Sequence, residues 1–228
     1  MLMRLAKVLN AEQLAGINAA LSRDDAPWVD GRATAGHQGA AVKRNEQIDE
    51  GSAAARALGD TVLGALERNA PFISAALPNR VYPPLFNRYT DGMQFGSHVD
   101  GAVRIIAATG QKLRTDLSAT IFLVSPESYD GGELIIEGSS GTQAVKLAAG
   151  DMVLYPASTR HRVTAVTRGA RLASFFWIQS LVRDHFQRAQ LFELDGAIQR
   201  LTASGADADA LVTLAGHYHN LLRLWSEP

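Results

Sequence analysis

The hydrophobic positions of this chain change period twice. Near the N-terminus Leu14, Ile17 and Leu21 recur at the spacing of one helix face. They follow Asn10 and Gln13 in a capping-box arrangement, so a helix is expected to start at Ala11. A second helix is expected over 51–69, with Leu58, Val62 and Leu66 on one face and Pro71 ending it. Between the two, 27–47 is rich in Gly, Ala, Asp and Arg and reads as irregular, with one short strand around 33–42. Beyond it the runs become short, β-branched or aromatic: 86–89, 117–124, 133–137, 152–155 and 172–178. Turn signals separate them at Asp91-Gly92, Asp130-Gly131-Gly132, 138–141 and Gly150-Asp151. Many short strands without intervening helices predict an antiparallel sandwich or barrel over about 80–180. In the tail Leu191, Leu194, Ile198 and Leu201 return to helical spacing, 204–207 breaks it, and Leu211, Leu214, Tyr218, Leu221 and Trp225 resume it. That is a helical hairpin, whose apolar stripe is buried on its own barrel or on a second subunit.

Composition narrows the chemistry. The 228 residues are 46% hydrophobic and 20% charged with a net charge of -1, so there is no basic footprint for nucleic acid. There is no cysteine, which excludes disulfides, thiolate zinc sites, iron–sulfur clusters and thiol nucleophiles. Any metal must be held by His, Asp and Glu. The N-terminus turns polar too early for a signal peptide and no apolar run approaches a membrane span, so a soluble cytoplasmic protein is expected.

His98 and Asp100 form the one His-x-Asp of the chain. On an extended segment residues i and i+2 face the same way, so imidazole and carboxylate can reach one ion. With 6 His in the chain such a pair arises by chance often enough that the tripeptide alone decides nothing. Its setting, just after a predicted strand and between glycines, adds weight. A 2-His-1-carboxylate set needs a second His from a later strand, and His161, beyond the 152–155 run, is the best candidate. Ten residues further, Arg171 opens a strand that is apolar on both faces. Alternation puts Arg171, Ala173, Phe175 and Trp177 on one side. A guanidinium entering such a strand needs a carboxylate partner, from the protein or from a ligand, unless the strand end is exposed. His37 sits in a Gly-rich loop, where solvation is its ordinary fate. His185 belongs to the tail helix, and His217 and His219 fall on different helix faces.

The ordered set Arg88-Tyr89 with Gly92, then His98-x-Asp100, Gly131-Gly132-Glu133-Leu134, Gly150-Asp151 with Pro156, and His161 with Arg171 resembles the iron(II)/2-oxoglutarate-dependent dioxygenases. Within them it resembles the prolyl/lysyl hydroxylase-related group and the bacterial PKHD-type hydroxylases. The resemblance implies a mainly β fold with flanking helices: a double-stranded β-helix, or jelly roll, plus a C-terminal helical hairpin. It divides the chain into a dioxygenase domain over 1–180, with N-terminal helices and a core at about 80–180, and a helical extension over 181–228. It implies that His98, Asp100 and His161 hold iron(II), that Arg171 pairs with the distal carboxylate of 2-oxoglutarate, and that Tyr89 hydrogen-bonds the same carboxylate. Tyr89 reads equally as a core tyrosine with its hydroxyl at the edge, and Trp177 either walls the pocket or belongs to the core.

The implied reaction hydroxylates a C–H bond with O₂ as co-substrate, releasing succinate and CO₂, with ascorbate as an accessory reductant. The primary substrate is a protein or peptide side chain or a small metabolite, with no nucleic acid and no membrane partner. A homo-oligomer through the C-terminal helices is one outcome of the tail pattern. The 102–115 segment, basic at Arg104, Lys112 and Arg114, is either a lid or a solvated loop. Two other readings stay open: a cupin-like metal enzyme without 2-oxoglutarate, which would favour His-x-His over His-x-Asp, and a non-enzymatic jelly-roll sensor or binding module.

Overall fold

The structure, a computed structural model, describes residues 2–34, 36–138 and 141–227, with the side chains of His37 and Gln38 outside the described set. It opens with β1 (Met3–Leu5), α1 (Ala11–Leu21), β2 (Trp28–Asp30), a 3₁₀ turn over Gly31–Thr34, α2 (His37–Val42), β3 (Lys43–Arg44) and β4 (Glu46–Ile48). Two further helices, α3 (Ala53–Leu66) and α4 (Ala70–Ala76), precede the β-rich centre. There the strands are β5 (Pro78–Val81), β6 (Leu85–Tyr89), β7 (Gln94–His98), β8 (Val103–Ile105), β9 (Lys112–Arg114), β10 (Leu117–Phe122), β11 (Asp130–Gly131) and β12 (Leu134–Gly138). They continue as β13 (Gly141–Val145), β14 (Met152–Pro156), β15 (Arg160–Val163), β16 (Val166–Arg168) and β17 (Arg171–Ser180). The tail is α5 (His185–Ala203) and α6 (Ala208–Trp225).

All strand pairings among the described residues are antiparallel. An eight-stranded sheet runs β1-β14-β10-β17-β6-β4-β2, with β5 also on β17, and a five-stranded sheet runs β13-β12-β15-β7-β3. They form the two walls of a jelly roll. The outer face of the large sheet is covered by the N-terminal helices. Ile17, Leu58, Val62, Leu66 and Phe72 from α1, α3 and α4 share one buried cluster with Phe86, Ala119, Ile121, Leu154, Phe176 and Ile178 from the sheet. Each such large apolar side chain contributes about 1.5–3 kcal/mol when fully buried. The inner faces meet in a second cluster, with Tyr89, Phe122, Val153 and Tyr155 from one sheet and Leu134, Ile136 and Val163 from the other. β10 is buried at all six positions, which is why it reads as a nearly continuous run. Two of its polar members, Ser118 and Thr120, line the interior cavity described below.

The expected helix starts and tail hold. Asn10 and Gln13 make the reciprocal capping box of α1. Asp184 and Asp207 cap α5 and α6, and the tail packs on its own chain. Leu77, Val182 and Leu191 are buried together, with Tyr218, Leu221 and Trp225 against them.

Three expectations are corrected. The 33–42 stretch is no strand: it holds the end of the 3₁₀ turn and α2, with Ala35 outside the described residues. It lacks the β-branched and aromatic side chains that fill a pleated face, Thr34 and Val42 apart. Pro71 begins α4 instead of ending α3. Asn69 accepts the Phe72 amide as its cap, and Pro in the first turn forfeits no helical hydrogen bond. The 102–115 segment is not a plain loop but holds a β8–β9 hairpin with its own ladder, Val103 to Arg114 and Ile105 to Lys112.

Candidate active site

His98 and His161 lie on neighbouring strands and are direct Cα partners across the β7–β15 pair. Neither strand is legible in the sequence, which places both histidines beyond strand ends. Gly96 and the polar Gln94, Ser97 and His98 leave Phe95 as the one apolar side chain of β7, and β15 is only four residues long. Each imidazole is oriented in the same way. Nδ1 of His98 lies 2.8 Å from the Gly96 carbonyl oxygen and Nδ1 of His161 lies 2.9 Å from that of Thr159. A ring that donates Nδ1–H to a carbonyl keeps Nε2 as a free lone pair, the form in which histidine binds metal. Burial first, and then the adjacent His161, push His98 down to about 4, so its imidazole is neutral at physiological pH.

Asp100 follows β7 by two residues and completes the group. One ligand atom each from His98, Asp100 and His161 lies within 4.8 Å of the others. The His161 Nε2 to Asp100 Oδ2 separation is 3.8 Å, too long for a hydrogen bond and suited to two ligands of one ion. The same Oδ2 accepts from Ser118 Oγ at 2.5 Å, so β10 aims the carboxylate. Two imidazole nitrogens, one carboxylate and no sulfur are the donor set of facial non-heme iron(II) sites.

Beside this group opens a cavity of about 440 Å³, lined among others by Asn87, Tyr89, Thr120, Arg171, Phe175 and Trp177. Arg171 is 1% exposed, the most buried cation among the described residues. Its register partner is Tyr89, and its guanidinium lies 5.4 Å from the Tyr89 ring and 5.2 Å from the Phe122 ring. Among the described residues no carboxylate pairs with it. Its single hydrogen bond is a long one to Asn87 Oδ1, 3.4 Å, and Nε has no partner. A guanidinium buried in this way is costly unless an anion from outside the chain completes it. Burial holds the Tyr89 phenol up at about 12 despite Arg171, so it stays a neutral hydroxyl. Phe175 and Trp177 share the Arg171 face of β17, as alternation required, and Trp177 walls the cavity.

Of the other histidines, His185 opens α5, His217 and His219 lie on α6, and none joins the group. The side chain of His37 lies outside the described residues. Ser118, Asn87 and Lys43, which no sequence motif marks, line the cavity, as does Arg104 of the 102–115 segment. Ser118 and Asn87 carry a usable signal, polar positions within apolar strands, whereas Lys43 carries none.

The 2OG-Fe(II) oxygenase superfamily model matches residues 84–179. Among solved structures, a Pseudomonas putida prolyl-4-hydroxylase superposes with a TM-score of 0.53 at 22% identity, over 78% of this chain and 92% of that one. A Trichoplax adhaerens prolyl hydroxylase, in complex with a hypoxia inducible factor peptide fragment, gives 0.56 at 11% identity over 78% and 82%. At these identities the likeness concerns the fold. The fold and the matched superfamily model are those of the iron(II)- and 2-oxoglutarate-dependent oxygenases. The PKHD-type hydroxylase C-terminal domain matches 186–227, and a PKHD-type hydroxylase of Burkholderia ambifaria is 64% identical over 227 residues, covering 100% of each chain. The chain belongs to the PKHD-type hydroxylases. Among the described residues no helix is long and apolar enough to cross a membrane.

Proposed function

We propose that His98, Asp100 and His161 hold the iron(II) of this hydroxylase and that Arg171, with Tyr89 beside it, holds the distal carboxylate of 2-oxoglutarate. The observation that carries the reading is Arg171: a buried guanidinium with an unpartnered Nε and no protein carboxylate, on the wall of the cavity that also meets the His-Asp-His group. When bound, iron(II) and 2-oxoglutarate supply O₂ activation, with release of succinate and CO₂ and hydroxylation of a C–H bond; ascorbate fits as an accessory reductant. The chain's own part is positional. The Gly96 and Thr159 carbonyls present both Nε2 atoms, Ser118 aims Asp100, and Arg171 fixes one end of the co-substrate so that its reacting end is held in one place. The aromatic and aliphatic lining excludes water. No protein acid or base is required.

The primary substrate is a protein or peptide side chain or a small metabolite. The dioxygenase domain spans 1–180, and 181–228 is a helical extension packed on it. Arg171 disfavours the cupin-like alternative, which has no use for a buried anion site. Complete donor sets for metal and co-substrate disfavour a sensor that only keeps the fold.

Two variants test the assignment. Asp100→Ala is expected to lose bound iron and all succinate formation together, read by metal analysis and product assay on the same sample. Full iron loading with normal decarboxylation in that variant rejects the ligand set. Arg171→Met is expected to keep its iron and to raise the KM for 2-oxoglutarate about 100-fold, roughly 3 kcal/mol, as for loss of one buried charge-pair partner. An unchanged KM removes Arg171 from the co-substrate site.

A further inference from the structure

The cavity carries two more cations, and among the described residues neither is paired with an acid. Lys43 is 6% exposed. Its Nζ donates to Thr34 Oγ1 at 3.1 Å and lies 5.2 Å from the Phe95 ring and 5.7 Å from the Phe175 ring. Arg104, on the β8–β9 hairpin, donates from Nη1 to the Thr34 carbonyl oxygen at 3.0 Å. Its guanidinium stacks over Trp177 at 4.2 Å and over Tyr82 at 5.4 Å. Both cations therefore converge on Thr34, and among the described residues neither makes a salt bridge. The acids near them are otherwise engaged: Asp100 belongs to the His-Asp-His group, exposed Asp30 is paired with Arg32, and Glu50 accepts from the Tyr82 hydroxyl. Two like charges fixed on one wall, one of them buried, repel each other and are stabilised together by a bound anion. The 2-oxoglutarate carboxylate assigned above does not fill this need, because Arg171 is enclosed by a different set, Asn87, Tyr89 and Phe122.

We propose that the primary substrate is an organic acid whose carboxylate is clamped by Lys43 and Arg104 and whose apolar body lies against Phe175 and Trp177. The clamp would hold the acid group away from Arg171 and leave the adjoining carbon skeleton facing His98, Asp100 and His161. The inference rests on the functional reading above and deepens it. It makes Lys43 and Arg104 specificity-determining residues and favours a charged metabolite, or an acidic group of a peptide, over a neutral side chain.

The test is binding without turnover. The anaerobic protein, loaded with iron(II) and 2-oxoglutarate, is titrated calorimetrically with phenylacetate, hippurate and indole-3-acetate, each beside its neutral primary amide. At least one acid is expected to bind about tenfold or more tightly than its amide, the size of one charge-assisted contact. Lys43→Met and Arg104→Met are each expected to abolish that preference while keeping the weak visible absorption of the bound co-substrate. Replacing a buried ammonium with an apolar chain of similar length leaves the fold without a charge to bury, and the absorption band reports that the site is formed. The inference is overturned if every acid and amide bind alike or not at all, or if the preference survives in either variant. It is also overturned if the variants weaken 2-oxoglutarate instead, which would give the clamp to the co-substrate. If the unmodified protein forms no iron–2-oxoglutarate complex, the functional reading fails, and that outcome is distinguishable because it appears before any acid is added.

Discussion

Lys43 shows how much one side chain can reveal about a cavity. Burial first, and then the neighbouring Arg104, bring its ammonium down to about 7, with Asp100 and Asp30 pulling weakly the other way. The sign of the consequence follows from linkage. Between about 7 and the ordinary value of 10.5 the unfolded chain holds a proton that the folded chain lacks, so stability rises with pH across that window. The slope is at most about 1.4 kcal/mol per pH unit, or roughly 3–6 °C in Tm for a chain of this size. Melting curves from pH 7 to 9 should therefore show the wild type gaining on Lys43→Met by that amount per unit. Parallel curves would mean that Lys43 keeps its proton throughout. None of this is legible in the sequence, because a lysine after a Gly- and Ala-rich stretch looks like any solvated lysine. The β3–β7 pairing, Lys43 opposite Phe95, is what carries it into the cavity. His98, Asp100, His161 and Arg171 are legible as candidates because such chemistry constrains spacing: a His and an Asp two apart on one extended segment, a second His from a later strand, and a cation at the start of a doubly covered strand.

At the scale of elements, the Gly131-Gly132 turn explains why a motif with no reactive atom belongs with the site. Gly131 has φ +71, and a Cβ there would meet the Ala165 carbonyl oxygen at 1.9 Å. Gly132 has φ +68, and its Cβ would lie 3.1 Å from Arg171 Cδ. The turn lays its backbone against Ala165 and Val166 and directly beside the Arg171 side chain. Gly131→Ala is expected to cost about 2 kcal/mol or more from the left-handed backbone alone, a fall of roughly 4–8 °C in Tm. A melting temperature within about 1 °C of wild type would show that the backbone there can relax. Element type is readable where the period is strong, as in α1, α3, β10, β17 and the tail. It is not where a short segment borrows its conformation from neighbours. The two-residue β3 exists because β7 pairs with it, and the four-residue β15 because β12 and β7 flank it, not because of their own composition.

At the scale of the molecule, the tail that could have sought a partner is tied to its own chain. Ser74 Oγ donates to Asp195 at 2.5 Å and Arg188 donates to the Val182 carbonyl at 2.6 Å. Glu227 closes the end with its amide on the Leu181 carbonyl and its carboxylate near Arg114. The packing surface is visible in the sequence as a stripe, but its destination is not, since a stripe at 3–4 spacing says only that something covers it.

The join between β7 and β15 has a consequence for how the protein breathes. The two strands share only the pairs His161 with His98 and Val163 with Phe95, with a break in register between them, whereas β12 and β15 match over four successive residues. Fewer ladder bonds make this join part more readily than the one between β12 and β15. If both histidines grip one ion, the ion becomes a clasp across that gap. Hydrogen exchange should see it: amides of 94–98 and 160–163 should slow by up to about 100-fold when the ion is present at roughly 100 times its Kd. The β12–β13 amides should change little. Uniform slowing, or none, would mean that the barrel holds this edge shut without help.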